Sequence, residues 1–223
     1  MLTGGGSRAQ GARELGGEGV NPITLRQGML LWPAEVRHDP KPASLIMPTD
    51  KVHYRTATEP DALCLSVLAT HVFLDTYATE GVRPAIAREV RELLSEEAFA
   101  ARLADPRHAV VVAEVAAHQV GFAHLVHGQR HEILPPEDRA AEVSRLYVQR
   151  PFLRHGIGKE LLIRAEGLAA AEGAEVLWLN AWTENAPALR FYEAQGYRDM
   201  GGSVYIFEGD RYETRVFVKR LQS

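Results

Sequence analysis

Cysteine is nearly absent from this chain. Cys64 is the one thiol in 223 residues, so no disulfide can form within the chain. It sits in the apolar stretch ALCLSVL, where a small core residue is expected rather than a nucleophile, and a reducing cytoplasm is the expected compartment. A large excess of charge of either sign is also lacking. With 25 Lys and Arg against 29 Asp and Glu, the net charge is −4 and the pI near 6.1. That leaves no electrostatic case for a nucleic-acid partner, while the mild acidity is compatible with a cationic substrate. Long hydrophobic runs are missing too. The most apolar stretch near the N-terminus, LRQGMLLWPAEV (25–36), is interrupted too soon for a signal peptide or a membrane span. Nine histidines are present, but not at metal-ligand spacing. His124 and His127 are an odd number of residues apart on a strand, and His131-Glu132 has no third ligand, so no metal is expected. No internal repeat occurs.

What is present is a chain of 46% hydrophobic and 24% charged residues, enough for one domain with a sizeable core. Residues 1–50 differ from the rest, being Gly-rich and without helical or strand periodicity. They are expected to be a disordered or weakly ordered extension, with Met47 as a candidate start and residues 51–223 as the domain. KVHYRTAT (51–58) reads as a strand. A helix is expected from Ala62 to about Tyr77, apolar at 63, 67, 68, 72 and 73, then a turn around Gly81–Pro84. AIAREVRELL and a helix capped by Ser95 and stopped by Pro106 follow. HAVVVAEV and QVGFAHLV read as antiparallel strands. Residues 128–141 form a polar connection, AEVSRLYVQ (141–149) a fourth strand and VLWLNAW (176–182) a fifth. The tail alternates on both sides of Glu208-Gly209-Asp210, as a hairpin does.

The chain is organised around PFLRHGIGKELLIRAEGLAAAEG (151–173). A proline and a basic turn lead into two glycines, and then Leu161, Leu162, Ala165, Leu168 and Ala169 recur at helical spacing up to Gly173. The first N–H groups of a helix lack intrahelical partners and carry the positive end of its dipole. With Gly156 and Gly158 leaving the backbone accessible, and Arg154, His155 and Lys159 adding charge, this is a cradle for an anion such as a diphosphate. It is not a P-loop, which needs glycine at 153 and Ser/Thr at 160, where Leu153 and Glu160 stand. Nor is it a dinucleotide fingerprint, whose third glycine is replaced by Leu161. A second patterned segment, TENAPALRFYEAQGYR (183–198), follows the fifth strand, with Thr183 or Asn185 able to cap its helix and Gly196 able to end it.

Together these segments resemble motifs A and B of the GCN5-related N-acetyltransferases. Motif A reads Gln/Arg-x-x-Gly-x-Gly/Ala, departing here only at Leu153; motif B is carried by Asn185, Ala188, Phe191, Tyr192, Gly196 and Tyr197. The resemblance implies an α/β (α+β) fold with a mixed, mostly antiparallel sheet of six to seven strands, flanked by helices. Its parallel strands four and five splay apart to admit acetyl-CoA, a co-substrate used without metal. It implies that the backbone of Leu146, Tyr147 and Val148 pairs with the pantetheine. Residues Arg154, His155, Gly156, Ile157, Gly158 and Lys159 would hold the pyrophosphate, and Asn185 and Phe191 would line the arm. The Val148 N–H would serve the oxyanion, and Tyr192 would protonate the leaving thiolate. An alkylamine must also lose its proton; Glu142 is the candidate base, with His124 and Asp75 behind it, while Asn180 cannot act as one.

FLDTYATEG, EVSRLYVQRPFLRHGIGKELL and YIFEGDRYETRVFVKRL further resemble the PaiA-type polyamine N-acetyltransferases, across residues 52–221. This implies an acceptor such as spermidine or spermine, facing Asp75, Thr76 and Tyr77, with Glu132, Glu137 and Asp138 nearby. Ser144 stands where that type commonly carries Glu. Fold and motif do not fix the acceptor. A protein amine, an amino acid or a drug remains open, as does a catalytically idle acetyl-CoA-binding regulator. The terminal hairpin leaves a homodimer open.

Overall fold

The computed structural model describes residues 51–136, 138–207 and 210–221. The chain divides into two units, residues 1–44 and 45–223, and only the second contains described residues. The expected N-terminal extension, the Met47 start, Glu137 and the Glu208-Gly209 turn lie outside the described residues.

Strands β1 (His53–Thr56), β2 (His108–Val115), β3 (His118–His127), β4 (Ala140–Val148), β5 (Val176–Trp182), β6 (Arg198–Phe207) and β7 (Asp210–Arg220) form one sheet in the order β1-β2-β3-β4-β5-β7-β6. All neighbouring pairs are antiparallel except β4 and β5. Helices α1 (Ala62–Tyr77), α2 (Pro84–Leu93) and α3 (Glu96–Ala104) precede β2; α4 (Ile157–Ala171) joins β4 to β5, and α5 (Ala186–Ala194) follows β5. This is the mixed α/β sheet with helices that the motifs implied.

The helices bury two separate faces. On one, Leu161, Leu162, Ala165 and Ala169 of α4 meet Val111, Ala123, Val143, Leu177 and Leu179 of the sheet. On the other, Leu65, Leu68, Ala69 and Phe73 of α1 and Phe99 of α3 meet Val110, Val112 and Phe122. The strand alternation fixes which residue goes where: odd positions 177, 179 and 181 of β5 face α4, while Trp178 faces the other side under Leu134. Helix α1 departs from expectation. Leu63 and Val67 are exposed (55% and 63%), and Cys64 is exposed rather than in the core. That helix is apolar nearly all round, so periodicity alone did not single out its buried stripe.

Local chemistry sets the boundaries. Ser95 accepts from the Ala98 N–H to cap α3, and Asn185 does the same for α5 through Ala188 N–H. Gly121 of β3 is required by close approach, because a Cβ there would lie 2.8 Å from the Tyr147 carbonyl oxygen. A polar network anchors β1 to the sheet and to the start of α1. Arg55 donates to both carboxylate oxygens of Asp61 at 2.7 Å and to Glu114 at 2.6 Å, and Gln119 donates to Asp61 at 2.8 Å.

The Arg55 hydrogen bonds hold the Asp61 carboxyl down at about 2. A carboxylate with a depressed folded pKa stabilises the fold above its ordinary pKa near 4, and loses that contribution as pH falls toward 2. Asp61→Asn should therefore cost about 1.5–3 kcal/mol at neutral pH, the range for a hydrogen bond to a charged group. In urea titrations repeated from pH 7 to pH 2, the gap between wild type and variant should shrink toward the acid end.

Candidate active site

Strands β4 and β5 pair only at Ala140–Val176, Ala141–Leu177 and Glu142–Trp178. Beyond those steps each is held by its outer neighbour. β4 pairs with β3 as far as Val148–Gly121, with one register shift at Ser144, and β5 pairs with β7 as far as Trp182–Thr214. The inner edges of 143–148 and 179–182 thus face each other across a wedge without a shared ladder. In an antiparallel pair alternate residues turn their N–H and C=O away from the partner. Gln149 donates to the Val120 carbonyl of β3, so Tyr147, two residues earlier, also faces β3, and it is Leu146 and Val148 whose backbone groups turn to the wedge, where an extended ligand with amides of its own would satisfy them.

At the broad end of the wedge the chain turns into α4. Arg154 and Gly156 both take left-handed conformations, φ 65° and 80°, and Gly156 is the N-cap residue with no side chain bonded to the helix start. A Cβ at Gly156 would meet nothing within 4 Å, so it is the backbone angle, not crowding, that favours glycine there. The turn leaves the first helical N–H groups open beside the exposed Arg154, His155 and Lys159. Ile157 contributes backbone only, its side chain being 2% exposed in the core. Gly158 lies against the Phe191 ring, 3.7 Å from its hypothetical Cβ, so Phe191 floors the turn.

Tyr192 lies one residue further along α5. Its ring packs on Phe191, Tyr197 and Phe217 at centroid distances of 5.3, 6.1 and 5.7 Å. Burial raises its phenol well above the ordinary value, which keeps it protonated, and no described residue hydrogen-bonds its hydroxyl. Asn185 spends its side-chain oxygen on the helix cap, at 3.2 Å from Ala188 N.

The other wall of the wedge, on the α1 side, holds the titrating groups. Glu142 stands at the last paired step of β4, where burial pushes its carboxyl up to about 7 against the opposing pull of Arg145. Tyr77 at the end of α1 packs on Trp182 at 5.6 Å, and its phenol is raised by burial and by Glu89. Glu89 of α2 is itself raised by burial and lowered by Arg145. Arg145 and Glu89 also act on the Tyr147 and Tyr205 phenols, so one mixed cluster spans α1, α2, β4 and β6. Only Tyr77, Tyr147 and Glu142 of this cluster were singled out from sequence. Trp182 could have been found from its place at the end of β5; Glu89, Arg145 and Tyr205 come from distant segments and carried no signal.

The remaining candidates fall elsewhere. Asp75 is exposed and pairs with His71 at 3.5 Å, off the Tyr77 side of α1, because two residues along a helix turn the side chain through 200°. Thr76 donates its hydroxyl to the Val72 carbonyl at 2.8 Å. His124 is buried and uncharged, pushed down to about 2 by burial with Arg145 and His108 adding to it, so it cannot take a proton in the way Glu142 can. Asp138 is engaged with Arg220 at 3.2 Å. Asn180 is exposed on β5. Among the described residues no cluster of His, Cys, Asp or Glu is placed to hold a metal, and no helix is long and apolar enough to cross a membrane.

Residues 74–197, more than half of the chain and the whole wedge from Tyr77 to Tyr192, match the model of the acetyltransferase (GNAT) family. The chain belongs to that family. An uncharacterised N-acetyltransferase of Mycobacterium tuberculosis is 31% identical over 143 residues, covering 62% of this chain and 86% of its own length. An uncharacterised N-acetyltransferase from Lactobacillus delbrueckii subsp. lactis is 24% identical over 155 residues, or 69% and 88% of the two chains. Among solved structures, the PaiA N-acetyltransferase of Thermoplasma acidophilum in complex with coenzyme A superposes with a TM-score of 0.58 at 21% identity, covering 76% of this chain and 99% of its own. YncA from Salmonella typhimurium, solved with acetyl-CoA, gives 0.58 at 19% identity, covering 78% and 95%. These likenesses concern the fold; the membership rests on the family match. As a GNAT member the protein is an N-acetyltransferase.

Transfer to an amine by way of Glu142 requires its ionised form. The acetyl-transfer rate should rise with pH through about 7, and Glu142→Gln should remove that limb and lower kcat roughly 10²-fold. A pH–rate profile of both forms at saturating substrates checks this.

Proposed function

We propose that this protein transfers an acetyl group from acetyl-CoA directly to the primary amine of a small molecule. The observation that carries the reading is the unpaired wedge between β4 and β5, with the α4 turn at its open end and a carboxyl of pKa about 7 at its closed end. The fit to acetyl-CoA is of three kinds. Backbone groups of Leu146 and Val148 suit an extended amide-bearing arm. The left-handed turn at Arg154 and Gly156, with Lys159, suits a diphosphate. Phe191 supplies an apolar floor. When bound, the co-substrate supplies an activated acyl thioester.

The residues then divide the proton work. A primary ammonium carries three N–H bonds and the amide product one, so two protons must leave nitrogen. One ends on the departing sulfur and the other in solvent. Glu142 accepts from nitrogen and passes each proton on to solvent; Tyr192, kept protonated by burial, donates to sulfur and regains its proton from solvent. The Val148 N–H, at the end of the β3–β4 ladder, is assigned to the developing oxyanion.

For the acceptor, a polyamine remains the first candidate, supported by two carboxyl groups that both feel Arg145, Glu89 beside the Tyr77 phenol and Glu142 on β4. Arg145 opposes it, and Asp75 and Asp138 are committed elsewhere. A single-amine acceptor needs only Glu142 and is the second reading. The exposed Val204, Tyr205 and Ile206 on edge strand β6 keep a homodimer as a proposal.

The test is thiol release from acetyl-CoA with the full chain across spermidine, spermine, monoamines, amino acids and short peptides. Turnover with small amines, lowered roughly 10²-fold or more in Tyr192→Phe without change in coenzyme A binding, is the expected result. Coenzyme A binding without turnover on any amine would favour an idle regulator instead.

A further inference from the structure

A buried polar chain beside Glu142 has no part in the steps above. Ser144 Oγ lies 2.6 Å from His124 Nδ1, and His124 Nε2 lies 2.8 Å from His108 Nδ1. The two imidazoles stack at 5.0 Å and 17°, and His108 Nε2 lies 3.9 Å from the Asp105 carboxylate. The chain crosses three strands, from a half-buried serine on β4 to a half-buried histidine at the start of β2, with His124 1% exposed between them.

An irregularity in the β3–β4 ladder falls at Ser144. Arg145 pairs with His124 and Val143 with Leu125, which leaves Ser144 as the extra residue of a β-bulge. Bulges re-aim side chains. Strand alternation already puts Ser144 on the same side of the sheet as Glu142, two residues before it, since Ala141 and Val143 pack on the opposite side with α4; the bulge adds Tyr147 to that side and sends Leu146 and Val148 to the α4 side.

The direction of the hydrogen bonds follows from the outer end. A carboxylate facing His108 Nε2 favours the proton on that nitrogen, and Arg107 keeps Asp105 ionised by donating to it at 2.7 Å. A neutral His108 with its proton on Nε2 must accept at Nδ1. His124 then donates from Nε2 and accepts at Nδ1. Ser144 is left to donate its only proton to His124, so its oxygen offers lone pairs, and no proton, to whatever stands beside Glu142. Neutral histidines suit the setting, because Arg102 and Arg145 both lie close enough to disfavour a charge on His124.

We propose that Ser144 is a substrate-binding residue for the acceptor amine, held as a pure hydrogen-bond acceptor by the positioning chain His124–His108–Asp105. An attacking amine with its lone pair on the acyl carbon has two N–H bonds left. One is given up to Glu142, and the Ser144 oxygen holds the other. That fixes the lone-pair direction and selects a primary amine, because a secondary amine has one N–H and cannot serve both Glu142 and Ser144. The inference rests on the proposed amine acetylation.

Steady-state kinetics on the full chain, with the best amine and acetyl-CoA varied separately, test it. Ser144→Ala should raise the amine KM about tenfold with the acetyl-CoA KM unchanged. His108→Leu should do the same from a position remote from the wedge. His108→Asn, whose amide oxygen can accept where Nδ1 does, should restore the amine KM. Melting temperatures of the three variants separate this split from loss of folding, and His108 at the strand end is the gentler site. An unchanged amine KM in Ser144→Ala, or equal shifts for both substrates, would overturn the proposal while leaving the acetylation reading standing. An absence of turnover in the wild type on every amine would instead overturn the reading beneath it.

Discussion

The constraint on which everything else depends is the competition for β4 and β5. Each strand has a long antiparallel partner on its outer side and only three parallel steps on its inner side. Sheet twist rotates neighbouring strands, so two strands zipped outward diverge unless their shared ladder holds them. Here it does not. The wedge that results leaves backbone hydrogen-bonding groups of 143–148 unpaired in the fold, a cost that a ligand with its own amides offsets. Catalytic geometry is therefore a by-product of sheet topology, and the side chains decorate an opening that the main chain has already made.

The two ends of the wedge are tuned by different physics. At the open end the turn before α4 offers backbone N–H groups, a helix dipole and exposed basic side chains, all in water, where they suit a highly charged and solvated group. At the closed end burial governs. It pushes Glu142 up to about 7 and raises the Tyr192 phenol, so that the carboxyl titrates near neutrality while the phenol stays protonated. Arg145 limits the rise at Glu142; without that cation the carboxyl would be a stronger base that is less often ionised. The Ser144–His124–His108 chain extends the same logic to a neutral group, with burial keeping the imidazoles uncharged and a distant carboxylate choosing their tautomers.

Much of this was legible in the chain. The order of elements, the parallel step through α4, the glycine turn that opens α4 and the cap at Asn185 follow from turn chemistry and periodicity. The family match agrees with the two motifs that carried the resemblance. Where periodicity was ambiguous the reading slipped. Helix α1 is apolar on several sides, so Leu63, Val67 and Cys64 looked buried and are not. Asp75 and Tyr77 looked like neighbours at one site, yet the helix turns them apart and leaves Asp75 with His71.

What the sequence determined by itself is the part whose causes are local. A glycine at a left-handed turn, an asparagine three residues before the N–H it caps, and alternating burial along a strand act over a few residues. Only the tertiary structure decided which distant groups share a low-dielectric space. Glu89, Arg145 and Tyr205 act on one another because α2, β4 and β6 come together, and the pairing of β4 with β3 brings the Ser144 hydroxyl to His124. Burial and proximity set the charge states there, and both are properties of the packed chain rather than of any segment within it.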